Sequence, residues 1–280
     1  MRVRVHITKL PPLKRGEVIL GLDGDVLLYK IGFAAEKTEY LLPDGTRQKE
    51  KPVGPAEKVP QLVEESLLPT FIRLTVKSYL KVLAPARMVV FFSGKDNFRR
   101  DKFWWYKANR LLTPKPIYMQ AIKDLFLSMY DCIVVDGAEA DDALSIYANE
   151  NPNFIVGTID KDLLQVQGWN FNLNTKELKY IAKEDGDYFF WRQMLTGDTV
   201  DNIKGLRITQ NNPNSKCFGN VTADKFLSTF SHHRDYDTLK AIIKDRYNGE
   251  FPIIPNRGVT FEDNFTALRL LERREDYAKD

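Results

Sequence analysis

Three short apolar runs punctuate the chain, and each closes on an acidic residue: Glu17-Val-Ile-Leu-Gly-Leu-Asp23, Met88-Val-Val-Phe-Phe-Ser-Gly-Lys-Asp96 and Asn153-Phe-Ile-Val-Gly-Thr-Ile-Asp160. They are rich in Val, Ile and Phe and too short for buried helices, so each reads as a buried parallel strand. Between them, residues 61–83, 116–130 and 138–149 carry apolar positions at helical spacing. This alternation predicts an α/β fold with a central, mostly parallel sheet flanked by helices. From Trp191 onward the pattern turns mostly helical and polar, broken by Gly197, Gly205, Gly219 and the Asn/Pro-rich residues 210–214, which predicts a helical appendage. Ligands of open parallel sheets gather at the carboxyl ends of the strands. Acids delivered there by three strands would meet in space although they lie more than 60 residues apart in sequence.

Composition narrows this picture. The 280 residues are 43% apolar, enough for a substantial core and against a disordered or fibrous chain. Cys132 and Cys217 stand 85 residues apart with no companion at metal-ligand spacing, which supports neither a disulfide framework nor a zinc ribbon and suits a reducing cytoplasm. The N-terminus lacks a long apolar run, and no segment is long and apolar enough to span a bilayer, so neither secretion nor membrane insertion is expected. The net charge of +3 is uninformative until it is divided along the chain. Residues 1–15 carry five basic and no acidic side chains, residues 95–115 hold seven basic against two acidic, and residues 135–201 hold 13 acidic against five basic. Such segregation steers polyanions and metals.

The acidic region is patterned. Glu139-Ala-Asp141-Asp142 opens a helical stretch, Asp160-Lys-Asp162 follows the third strand, and Gly197-Asp198-Thr-Val-Asp201-Asn202 opens the helical region. Acids in a first helical turn can simply oppose the helix dipole, but this many anions at one edge repel one another unless a cation compensates them. An all-oxygen donor set favours Mg2+, with Mn2+ as a substitute, over zinc. Mg2+ takes few carboxylates directly, so seven or more acids point to two ions, the arrangement used in phosphodiester hydrolysis. Immediately after Asp96, cations alternate with aromatics in Asn97-Phe-Arg-Arg-Asp-Lys-Phe-Trp-Trp-Tyr-Lys-Ala-Asn-Arg110. Arg99, Arg100 and Lys102 suit phosphates, and Trp104 and Trp105 suit stacking on unpaired bases. The alternative is a solvated helix face with the aromatics anchored in the core.

Taken in order, Leu22-Asp23, Asp96, Tyr106-Lys-Ala-Asn-Arg110, Glu139-Ala-Asp-Asp142, Asp160-Lys-Asp162 and Gly197-Asp-Thr-Val-Asp-Asn202 resemble the flap endonuclease and 5′→3′ exonuclease family, most of all its phage-encoded members, over most of residues 17–230. The resemblance implies a PIN-like nuclease core over residues 1–195, a helical arch at about 97–116, and a helical DNA-binding region over 196–280 with a helix-hairpin-helix. It implies that Asp23, Asp96, Glu139, Asp141, Asp142, Asp160, Asp162, Asp198 and Asp201 bind or surround two Mg2+ ions. By the same resemblance Lys107 and Arg110 hold the scissile phosphate, and Tyr29 is a platform for the terminal nucleotide. Asp25 is left between a supporting role and a simple cap.

The sequence departs from the family after Asn202. Ile208-Thr-Gln-Asn-Asn-Pro-Asn-Ser-Lys-Cys217 intervenes before Phe218-Gly-Asn-Val-Thr, and Val221 stands where a Lys is common. Gly219 and Thr222 are still expected to meet duplex DNA, while K+ binding stays open. The implied activity is 5′→3′ exonuclease and flap endonuclease cleavage by a monomer in the cytoplasm, that of a host if the chain is phage-encoded. Its substrate is DNA with 5′ ends or flaps, with an RNA–DNA hybrid open as a second substrate, and its settings are primer removal or host DNA degradation during replication. Three other classes compete. Asp23-Gly-Asp25, Ser93 and Gly197-Asp198 partly fit a haloacid-dehalogenase-like phosphatase, but leave Glu139 to Asp142 unexplained. A non-catalytic DNA-binding replication accessory protein would not need every carboxylate, and a PIN-like ribonuclease would need no arch. His6, His232 and His233 receive no catalytic role.

Overall fold

The computed structural model describes Leu13 and residues 16–210, 212–230, 235–249 and 260–277. The rest of the basic N-terminal stretch, including His6, and both His232 and His233 lie outside these residues. Strand β1 (Ile19–Asp23) runs straight into helix α1 (Gly24–Ala34). Two residues make that turn possible. The Asp23 carboxylate accepts a hydrogen bond from the Val26 N–H at 3.0 Å and so caps the helix. Gly24 lets α1 start hard against the sheet, where any Cβ would collide with the Phe92 ring and the Phe91 carbonyl.

Next come β2 (Glu36–Leu41), β3 (Arg47–Gln48) and β4 (Glu57–Leu62), which form a separate antiparallel sheet in the order β3-β2-β4. The sequence pattern does not announce it, because its strands are mainly charged and polar and lack an apolar stripe. Since residues 57–62 pair with β2, the helix expected from residue 61 begins only at α2 (Leu68–Leu83).

The remaining core elements are β5 (Arg87–Ser93), α3 (Phe98–Lys102), α4 (Met119–Met129), β6 (Cys132–Val135), α5 (Ala140–Glu150), β7 (Phe154–Thr158), β8 (Gly168–Asn172) and β9 (Leu178–Ile181). The main sheet has the order β6-β5-β1-β7-β8-β9, parallel except for the β8–β9 pair. Alternation of side chains divides its two faces. Leu20, Leu22, Val90 and Phe92 pack under α1, α2 and α4, together with Ile31, Ile72 and Phe126. Val89, Phe91, Phe154 and Val156 pack under α5, against Leu144. Fully buried Leu20 and Leu22 contribute about 2 kcal/mol each by burial.

The C-terminal part comprises α6 (Lys183–Thr196), the short pair β10 (Gly197–Asp198) and β11 (Ile203–Lys204), then α7 (Asn220–Ser228), α8 (Tyr236–Asn248), α9 (Phe261–Leu268) and α10 (Arg274–Tyr277). Helix therefore resumes at Lys183, eight residues before Trp191, which sits fully buried within α6. A third apolar cluster gathers Phe190, Trp191, Met194 and Leu195 of α6 with Leu227, Ile243 and Ala267 of the later helices. It also takes in Phe103, Trp105 and Tyr106. Helix in the 97–116 segment is limited to α3 and a 3-10 turn over Ala108–Leu112. Among the described residues, no helix is long and apolar enough to cross a membrane.

The intervening Ile208–Cys217 stretch is an excursion whose ends meet. Arg207 and Cys217 form an antiparallel bridge, the Ile208 N–H donates to the Lys216 carbonyl at 2.8 Å, and the Phe218 N–H donates to the Leu206 carbonyl at 2.8 Å. α7 therefore follows Leu206 in space as though the loop were absent.

Candidate active site

Strand order reverses at β1, since β5 and β6 lie on one side of it and β7 and β8 on the other. The crevice at such a switch point opens at the carboxyl ends of the strands. Here a cleft of about 1260 Å³ is lined by Asp23, Asp25, Asp96, Glu139, Asp141 and Asp160, by Tyr29 and Trp104, and by Arg100, Lys107, Arg110 and Lys123.

Asp23 ends β1 and is almost fully buried, with Thr158 Oγ1 donating to it at 2.7 Å. The same hydroxyl accepts from the Asp160 N–H at 2.9 Å, so Thr158 ties together the two strand ends that flank the switch point. Asp160 lies two residues beyond β7, and Asp96 lies exposed three residues beyond β5, so neither ends a strand as the pattern predicted. Asp25 accepts from the Ser93 N–H at 3.3 Å, joining α1 to the end of β5. Glu139 is the N-cap of α5, and Asp141 and Asp142 occupy its first turn.

Burial and mutual repulsion set the protonation behaviour. Burial first, and then Asp25 and Asp160, push Asp23 up to about 7. Asp141 is raised well above the ordinary range by burial and by Asp23, Asp160 and Glu139. Burial, with Asp160, Asp198 and Asp201, pushes Asp162 up to about 7. Two electrostatic neighbourhoods result, Asp23 with Asp141 and Asp162 with Asp198 and Asp201, and Asp160 acts on both. Among the described residues, no three of these side chains are drawn together tightly enough to enclose an ion by themselves.

Cations reach the same groups. Lys107, buried and in the left-handed region at φ 54°, makes an ion pair with Glu139 and approaches Asp201 at 3.5 Å. Despite burial, Lys107 and then Arg99 hold Glu139 down to about 2. Arg110 pairs with Asp201, and Lys161 with Asp198 at 2.7 Å. The Tyr106 hydroxyl donates to Glu139 at 2.7 Å and contacts Asp201 at 3.2 Å. The Lys107 N–H donates to the Asp201 carbonyl, and the Asn109 side chain to the Thr199 carbonyl. The Tyr106–Arg110 motif is thereby zipped onto the Gly197–Asn202 loop. Gly197, at φ +67°, makes the turn out of α6, where a Cβ would strike the Gly205 backbone.

Three expectations are corrected. Asp142 does not face the cleft: it is fully buried and forms a two-pronged ion pair with Arg99 at 2.6 and 2.8 Å. Arg99, expected on DNA, is the buried partner of that pair and is 1% exposed. Trp105 is 2% exposed and stacks on Phe103, so it presents no face to a base. Asp162, Asp198 and Asp201 are not among the residues that line the cleft, although Asp201 touches Tyr106, Lys107 and Arg110, which are. Arg100, Lys102 and Trp104 are exposed, and Tyr29 is half-buried with its ring 6.0 Å from Phe33. Gly219 is the exposed N-cap of α7 and Thr222 lies in its first turn; neither is among the residues that line the cleft. Sequence reading missed Thr158, Lys161 and the Tyr106 hydroxyl. Each lies in or beside a recognised motif, but only contacts with residues distant in sequence reveal its role.

Residues 19–187 match the family model described as the 5′-3′ exonuclease, N-terminal resolvase-like domain. The chain belongs to this 5′-3′ exonuclease family. The assignment removes the phosphatase alternative. A 5′-3′ exonuclease of Buchnera aphidicola (Schizaphis graminum) is 27% identical over 214 residues, 70% of this chain and 68% of that protein. The thermostable DNA polymerase I of Thermus aquaticus is 31% identical over 191 residues, 60% of this chain, and a DNA polymerase I of Rhizobium leguminosarum is 28% identical over 141 residues, 44% of this chain. The matched stretch spans only 21% and 14% of those two polymerases. The fold is similar to that of a T5 protein co-crystallised with metal ions, with a TM-score of 0.56, 16% identity and coverage of 91% of this chain and 89% of that one. A bacteriophage T5 flap endonuclease in a pseudo-enzyme-product complex with DNA and metal ions gives a TM-score of 0.55 at the same identity, covering 91% and 89% of the two chains.

Proposed function

We propose that this 5′-3′ exonuclease family member hydrolyses DNA phosphodiesters from 5′ ends and at 5′ flaps, requires divalent metal, and leaves 5′-phosphate products. The observation that carries the reading is the set of carboxylates at the carboxyl edge of β1 and β7, facing one cleft under a basic and aromatic segment. An oxygen-only donor set, with several acids whose ionisation is opposed by their neighbours, suits Mg2+ or Mn2+. Asp23, Asp96, Glu139, Asp141 and Asp160 would hold one ion, and Asp162, Asp198 and Asp201 would help hold a second. When bound, the ions would supply Lewis-acid stabilisation of charge on the phosphate.

The chain's own groups do the rest. Lys107 and Arg110 line the cleft beside Glu139 and Asp201 and oppose charge developing on phosphate oxygens. Tyr29 with Phe33 offers an aromatic surface to a terminal base, and Arg100 and Lys102 meet backbone phosphates. In this reading residues 1–195 are the nuclease core and residues 196–280 a helical duplex-binding region.

The test is cleavage of 5′-labelled flap and blunt duplex DNA in Mg2+, beside EDTA. A ladder of short 5′-phosphorylated products, abolished by EDTA, is expected. DNA binding without metal-dependent cleavage would favour a non-catalytic accessory protein instead.

A further inference from the structure

We propose that the peptide segment leaving α9, Leu268–Leu271, is a strap that positions both carboxylate neighbourhoods, and that Asp142 serves this strap rather than a metal ion. The inference rests on the two-metal reading above. Asp142 has four partners and no spare capacity: the two Arg99 nitrogens, the Glu139 N–H at 3.1 Å and the Leu271 N–H at 3.0 Å. Arg99 in turn donates to the Arg269 carbonyl at 2.7 Å. Through this pair the strap fixes the first turn of α5, which carries Glu139 and Asp141, and holds the base of the 97–116 segment.

A second set of bonds leads the other way. The Leu268 carbonyl accepts from Gln165 Nε2 at 2.8 Å, and Gln165 also donates to Gln193 Oε1 at 3.0 Å. Gln193 Nε2 then donates to Asp162 at 2.6 Å. Both glutamines are buried, so this chain of bonds has little competition from water. One four-residue segment therefore orients Glu139 and Asp141 on one side and Asp162 on the other. Residues that orient metal ligands commonly change affinity or rate by 10- to 100-fold when replaced.

The test compares the full-length wild type with Asp142→Asn, Arg99→Gln/Asp142→Asn and Gln193→Leu. Readouts are Mn2+ binding by electron paramagnetic resonance, DNA affinity in Ca2+, and single-turnover cleavage in Mg2+. Asp142→Asn strands a buried guanidinium, and is expected to weaken Mn2+ binding about tenfold and cleavage about 100-fold. The double variant removes both charges, lets two amides pair, and is expected to recover most of both losses. It also carries the test if the single variant does not fold. Gln193→Leu is expected to weaken Mn2+ binding about tenfold with DNA affinity unchanged. A folded double variant as defective as Asp142→Asn would make Asp142 a ligand, and Gln193→Leu matching wild type would cut the second arm of the strap. Either result overturns the proposal. A wild type that neither binds Mn2+ nor cleaves DNA would instead remove the two-metal reading on which it rests.

Discussion

Trp104 and Trp105 are neighbours in sequence and opposites in surroundings, 69% and 2% exposed. Sequence pattern presents them as one aromatic pair, because in irregular backbone no period says which ring turns inward. Trp105 is held by Phe103 and the C-terminal cluster. Trp105→Ala is therefore expected to destabilise the protein by about 3–5 kcal/mol in denaturant titration. Trp104→Ala is expected to leave stability within about 0.5 kcal/mol while weakening single-strand binding by about 1–3 kcal/mol. Equal effects of the two changes on stability would contradict this division. Arg99 and Arg100 divide in the same way: one is buried against Asp142, and the other lines the cleft. A buried arginine cannot be told from an exposed one by its type, only by the carboxylate that the fold brings to it.

At the scale of elements, β1, β5 and β7 were legible because strands buried on both faces leave continuous apolar runs. β6 is a four-residue edge strand with one side chain exposed, and β2 to β4 are largely polar, so neither leaves such a signature. The short helix α3 shows a charge pattern whose meaning depends on orientation. Arg99 faces inward, whereas Arg100 and Lys102 face solvent. Replacing Arg100 or Lys102 by Ala is expected to lower the slope of log affinity against log salt by about 0.7–0.9 each, measured on a 5′-flap substrate. An unchanged slope would remove α3 from the DNA path.

For the molecule as a whole, charge couples the site to stability. Asp23 and Asp162, both pushed up to about 7 by burial and then by neighbouring carboxylates, return to ordinary values near 3.8 on unfolding. Between those values the folded chain holds protons that the unfolded chain has lost, so these groups withdraw stability as pH rises through that window. Glu139 acts oppositely, but its contribution is already complete above its ordinary 4.5. In EDTA, the melting temperature is expected to fall by about 5 °C between about pH 5 and pH 8, with millimolar Mg2+ restoring most of the loss at the higher pH. A melting temperature indifferent to both pH and Mg2+ would separate these carboxylates from cation binding.

Sequence by itself determined the α/β class, the strands that carry the cleft, and the residue types gathered at its edge. Strand burial and motif order are local properties written along the chain. Tertiary structure alone decided which acids face the cleft and which are bound to other side chains. Asp141 and Asp142 are adjacent and chemically identical, yet one lines the cleft and the other is enclosed by Arg99 and Leu271. That difference is set by partners 43 and 129 residues away. A carboxylate's role follows from the charges and N–H groups that long-range packing places around it.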